Sequence, residues 1–121
     1  MNIHIAHPDP VQEYAFIEGC SILESWNHAD DPQASIARAR VAPGVATRWH
    51  ALVEVTERYL IVSGTGRVEI GDVPPAAVHA GDVVVIPAGV RQRIMNTGAE
   101  DLLFYAICTP RFTPACYAAL E

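Results

Sequence analysis

The residues in this chain whose types and positions can do chemistry are His50, Glu57, Tyr59 and Gln92. Alternate residues of a strand share a face, so His50 and Leu52 project together, and Glu57, Tyr59 and Ile61 line one face of the next strand. A buried Glu57 without a partner has a raised pKa, a cost that His50 or Arg58 can relieve. An imidazole and a carboxylate facing one interior can transfer protons or grip a polar ligand. Gln92 adds a neutral amide oxygen, and Tyr59 brings either a hydroxyl for a substrate or an aromatic core ring.

Short strands are the elements that must position these groups. From Ser35 onward, runs rich in Val, Ile, Ala and Tyr alternate with Gly and Pro punctuation. The pattern predicts strands over Ser35–Val41, Trp49–Val55, Arg58–Val62, Arg67–Ile70, Val83–Ile86, Arg91–Met95 and Leu102–Cys108. Regular spacing of this kind implies an antiparallel sandwich or barrel. Tyr14–Glu18 and Ser21–Trp26 read as two further strands that extend a sheet edge or pair with a second subunit. Asn27–Gln33 reads as an exposed loop. Thr113 before Pro114 has the order of an N-cap and first helical residue, so a short C-terminal helix is expected over Thr113–Leu120.

Two segments carry more than strand pattern. In the first, Gly44, His50, Glu57 and Gly64 are spaced as in one cupin motif; in the second, Gly81, Pro87, Gly89 and Asn96 are spaced as in the other. The chain therefore resembles the cupin superfamily, and the resemblance implies an all-β, cupin-type jelly-roll β-barrel. In metal-binding cupins two His and a Glu of the first motif and a His of the second hold one metal ion. Here Leu52 stands at the second His position and Gln92 at the last, leaving His50, Glu57 and Gln92 as the implied metal set. Leu coordinates nothing and a Gln oxygen is a weaker donor than imidazole, so a divalent transition metal (Mn, Fe, Ni or Zn) would be weakly held. Three protein ligands still suffice for a catalytic metal. The competing arrangement is a metal-free, hydrogen-bonded cluster of His50, Glu57 and Gln92. Convergence of the three on one point favours the metal; a direct Gln92 to Glu57 hydrogen bond favours the metal-free cluster.

Composition bounds the remaining possibilities. At 121 residues, half apolar and 18% charged, the sequence suits one domain over 1–121, with its barrel core at about 35–109. A formal charge of -6 argues against a nucleic-acid partner. No apolar run is long enough to span a membrane, and Met1–Pro10 does not read as a signal peptide, so a cytoplasmic protein is expected. Cys20, Cys108 and Cys116 have no paired spacing and read as reduced core residues. Arg38 and Arg40 share one strand face, which holds an anionic ligand if it is inward and is more commonly a solvated face, and Arg91 and Arg93 point out if Gln92 points in. The expected partners are a small-molecule ligand and a second copy in a homodimer. Two functions follow from these expectations: a metal-assisted oxygenase, isomerase or decarboxylase with Glu57 and Tyr59 at its centre, or a metal-free binding or sensor module.

Overall fold

A computed structural model describes residues 1–121. Eleven strands carry the chain: β1 (Tyr14–Ala15), β2 (Ser21–Trp26), β3 (Ser35–Val41), β4 (His50–Leu52), β5 (Thr56–Ser63), β6 (Thr65–Ile70), β7 (Ala76–His79), β8 (Val83–Ile86), β9 (Gln92–Asn96), β10 (Leu102–Thr109) and β11 (Tyr117–Ala119). They form two antiparallel sheets, one ordered β1-β2-β3-β10-β5-β8 and the other β11-β4-β9-β6-β7. All the strand ladders fall within one sheet or the other, so the jelly roll is enclosed by packed inner faces rather than by one continuous ring of pairing. No helix is long and apolar enough to cross a membrane.

The alternation read from the sequence decides which side chains meet between the sheets. Glu57, Tyr59 and Ile61 of β5 are buried, as are Ala39 and Val41 of β3 and Leu102, Phe104 and Cys108 of β10. From the other sheet come Val68, Val78 and Ile94, completing with Ile86 the main apolar core. A smaller, separate cluster is formed by Leu52, Val55, Cys108 and Cys116. Burying such side chains stabilises by about 1.5–3 kcal/mol each.

The Gly and Asn of the two motifs have local structural reasons. At Gly64, between β5 and β6, φ is 89°, and a Cβ there would sit 2.8 Å from the Asp101 carbonyl oxygen. Only glycine allows that reversal. Asn96 is buried at the end of β9, where its amide nitrogen donates to the carbonyls of Val41 and Glu100 and its oxygen accepts from the Gly98 N–H. That motif position clamps loops.

Three expectations need correction or extension. The C-terminal helix is absent: Pro114–Cys116 makes a single 3-10 turn, the Thr113 side chain caps nothing, and Tyr117–Ala119 continues as β11. Pairing with β4, Tyr117 opposite Leu52 and Ala119 opposite His50, satisfies the backbone that a helix would otherwise have satisfied internally. Strand β7 was not expected, because Ala-Ala-Val-His after two prolines has little β propensity; the β6 edge recruits it. Residues 16–18 leave the first predicted strand for a turn, while β1 and β2 extend the edge of the β3 sheet.

Candidate functional site between the sheets

His50 and Gln92 face each other across the β4–β9 ladder. Glu57 and Tyr59 come from β5 of the other sheet. All four are buried, Gln92 with 1% of its surface exposed and His50 with 2%. Arg91 and Arg93 accordingly point out, both stacked over Trp49 at 4.6 and 4.5 Å from its ring centre. Arg38 and Arg40 also lie on the outer side, where they pair with Glu13.

The His50 imidazole is fixed at both nitrogens. Nδ1 is 2.7 Å from the Arg48 carbonyl oxygen, and Nε2 is 2.9 Å from Glu18 Oε2. A carbonyl only accepts, so Nδ1 carries a proton, and the Nε2 contact with Glu18 then needs a second one. The pair is therefore either an imidazolium with a carboxylate or a neutral imidazole with a carboxylic acid. Burial works to lower the His50 pKa, but the hydrogen bond and charge of Glu18 outweigh it and raise the value. Tyr117 stacks on the ring, with centroids 5.3 Å apart.

Glu18, expected as the last residue of a strand, belongs instead to the turn between β1 and β2. Gly19, with φ of 99°, lets the chain reverse there. The Glu18 carbonyl accepts from the Arg48 N–H at 2.7 Å, fastening the turn to the strand end that carries His50. The Cys20 thiol donates to Glu18 Oε1 at 3.0 Å, so this cysteine orients a carboxylate as well as filling the core. The Cys108 thiol lies 3.8 Å from Glu57 Oε2 in the corresponding role. Burial raises the pKa of all three cysteines, which keeps them protonated and unreactive.

Glu57 is the most perturbed carboxyl in the molecule. Burial, reinforced by the charge of Glu18, pushes its pKa up to about 7 against the easing effects of Gln92, His50 and Cys108. Its Oε1 has no hydrogen-bond partner, and neither does the Gln92 amide nitrogen. The Gln92 amide oxygen accepts from the Tyr59 hydroxyl. Burial holds the Tyr59 phenol well above its ordinary pKa, so it stays a donor. Glu57 and Tyr59 border a small cavity of about 60 Å³ whose lining also includes Glu18 and His50, with an apolar wall of Phe16, Leu52, Phe104 and Phe112; Gln92 lies behind Tyr59, outside that lining. Polar groups converging in an apolar pocket are the usual form of a small-molecule site.

The arrangement brings together His50, Glu57, Tyr59 and Gln92 and adds Glu18 and Tyr117. A search for Glu18 by motif would fail, since it reaches His50 from outside both motifs. The sequence profile of the cupin domain matches residues 37–108, the stretch from β3 to β10 that carries His50, Glu57 and Gln92. The chain belongs to the cupin family. Among solved structures this cupin superposes on Pac13, a nucleoside dehydratase, with TM-score 0.78 and 17% identity over 98% of this chain and 92% of that one. The same Streptomyces protein has been solved with uridine. It also matches a predicted oxalate decarboxylase from Thermotoga maritima (TM-score 0.73, 24% identity, 87% and 93% of the two chains) and KdgF from Halomonas (0.73, 16%, 84% and 89%). At such identities the likeness is one of fold. No curated protein matches the chain by sequence.

Proposed function

We propose that this cupin is a small acid–base enzyme that moves protons on a polar metabolite held between the sheets, with isomerisation or elimination of water as the reaction class. The observation that carries this reading is the pairing of two differently poised groups at one cavity: Glu57 with a pKa of about 7, and His50 sharing a proton with Glu18, which raises its pKa. A group that titrates near the working pH is the most effective general acid or base. Pairs of titratable groups pushed in different ways by their surroundings are the mark of an acid and base working together.

The chemistry balances without a co-reactant. Glu57 in its ionised form takes a proton from a carbon beside a carbonyl; the electron pair left on carbon forms the new double bond as the neighbouring C–O bond breaks; and the His50–Glu18 pair gives its proton to the departing hydroxyl, which leaves as water. For an isomerisation the same proton is returned to a different atom. The apolar wall excludes bulk water, which strengthens both interactions. A nucleoside dehydratase among the fold neighbours is consistent with elimination as a chemistry that this fold can host.

The metal implied by the family suits these residues poorly. Both His50 nitrogens are engaged, Leu52 replaces a ligand, and the Gln92 oxygen is occupied by Tyr59. The Gln92 oxygen accepts from Tyr59, while the Gln92 amide nitrogen and Glu57 Oε1 are both left without a partner. In this reading Glu57 is the base, the His50–Glu18 pair the acid, and Tyr59 and Gln92 hold the substrate face in place.

The test is proton exchange. Untagged protein, treated with a chelator, is incubated in D2O with a panel of hydroxy-aldehydes, hydroxy-ketones and hydroxy-acids and followed by NMR. Deuterium entering a carbon beside the carbonyl, abolished by Glu57→Gln, is the expected result. Exchange that appears only after Mn, Fe, Ni or Zn is added back would replace this reading with a metal-assisted one. A pocket that binds members of the panel without exchange would make the chain a binding module.

A further inference from the structure

A second group of titratable side chains lies outside the cavity lining, on the loop between β2 and β3. His28 and Asp30 belong to that loop, and His4 reaches it from the segment ahead of β1. One ligand atom from each of the three falls within 4.8 Å of the other two. His4 Nε2 is 3.4 Å from Asp30 Oδ2, and His28 Nδ1 is 3.9 Å from the same oxygen. We propose that His4, His28 and Asp30 form a surface site for a divalent transition cation, of the Zn, Ni or Cu type, which pins the N-terminal segment to the β2–β3 loop.

Imidazole nitrogens are the borderline donors these cations select, and a carboxylate oxygen is an accepted third ligand beside them. Three protein ligands leave one tetrahedral position for water. Ligand atoms around one such cation lie closer together than 4.8 Å, and the side chains are partly exposed, so small rotations close the set. His28 Nδ1 accepts from the Asp30 N–H at 3.0 Å, and coordination exchanges that solvent-exposed hydrogen bond for a bond to metal. The rings are already arranged. His28 stacks on Trp26 with centroids 5.5 Å apart and 13° between planes, and His4 packs against both at 4.8 and 5.0 Å. Trp26 is itself anchored, its indole N–H donating to Asp31 Oδ2 at 3.0 Å. The segment bearing His4 is otherwise held to the domain by few polar contacts, so the site is where an ion would order it. The net charge of -6 favours a cation at any such cluster.

Trp26 provides the readout, because a paramagnetic Cu ion at this site quenches an indole stacked on one of its ligands. Untagged protein is titrated with Zn by calorimetry and with Cu by tryptophan fluorescence, for the natural chain and for His4→Ala, His28→Ala, His79→Ala and His50→Ala. The proposal predicts one equivalent of cation bound, quenching of the tryptophan emission, and affinity at least about tenfold weaker in His4→Ala and His28→Ala, the scale on which even supporting residues around a metal act. His79→Ala and His50→Ala should bind as the natural chain does. Affinity unchanged in His4→Ala, or lost in His50→Ala, would overturn it. The outer position of His4 and His28 leaves the core intact, and matching far-ultraviolet circular dichroism checks that each variant is folded.

Discussion

His50 Nε2 lies 2.9 Å from Glu18 Oε2 while Nδ1 of the same ring lies 2.7 Å from the Arg48 carbonyl oxygen. The two contacts together require a proton on each side of the ring or on Glu18, and they make a turn ahead of the cupin motifs part of the site. Replacing the carboxylate by an amide removes the charge and leaves burial to dominate. Glu18→Gln should therefore lower the His50 pKa, read by NMR titration of the imidazole. An unchanged titration would mean that Glu18 does not set the protonation of His50.

Glu57 gives the fold a pH dependence of determinable sign. Its folded pKa of about 7 lies above its ordinary value near 4.5, so between those values the folded chain holds a proton that the unfolded chain has lost. Stability from this group is full below the ordinary value and falls as pH rises towards 7, by up to about 3 kcal/mol. His50, also raised, contributes in the same direction: its stabilisation is present below its ordinary pKa and fades as pH rises through the folded one. Glu57→Gln should be more stable than the natural chain at pH 8, with most of the slope between pH 5 and 7 gone. Denaturant melts across that range measure it, and a slope equal to that of the natural chain would contradict the assignment.

The parity of the strands was readable because a two-residue period leaves no choice once one face is buried: Glu57, Tyr59 and Ile61 pointed inward together, and Gln92 pointed opposite to Arg91 and Arg93. Gly64 and Asn96 were readable as spacing, though their reasons, a backbone approach and a loop clamp, were not. Glu18 was hidden because its partner is distant in sequence and a Glu-Gly turn usually faces solvent. The C-terminal segment was misread because local capping chemistry at Thr113 and Pro114 competes with the free edge of β4, and pairing with that edge won. Local signals cannot register an edge that exists only after folding.

Tyr59 ties the two sheets through its hydrogen bond to Gln92 Oε1. Tyr59→Phe keeps the ring, which packs on Phe104 at 4.4 Å between centroids, and leaves a buried amide oxygen unpaired. The expected loss is about 1–3 kcal/mol of stability, measured by chemical denaturation. A variant as stable as the natural chain would show that the amide finds another partner.

The central claim is that Glu57 and His50 form a poised acid–base pair, and the measurement that tests it most directly is carbon-13 NMR titration of the Glu57 carboxyl and the His50 ring in chelator-treated protein. The account predicts a carboxyl titrating close to pH 7 and an imidazole titrating above its ordinary value of 6.5. A Glu57 carboxyl titrating near 4.5, with His50 already neutral below 6.5, would contradict it.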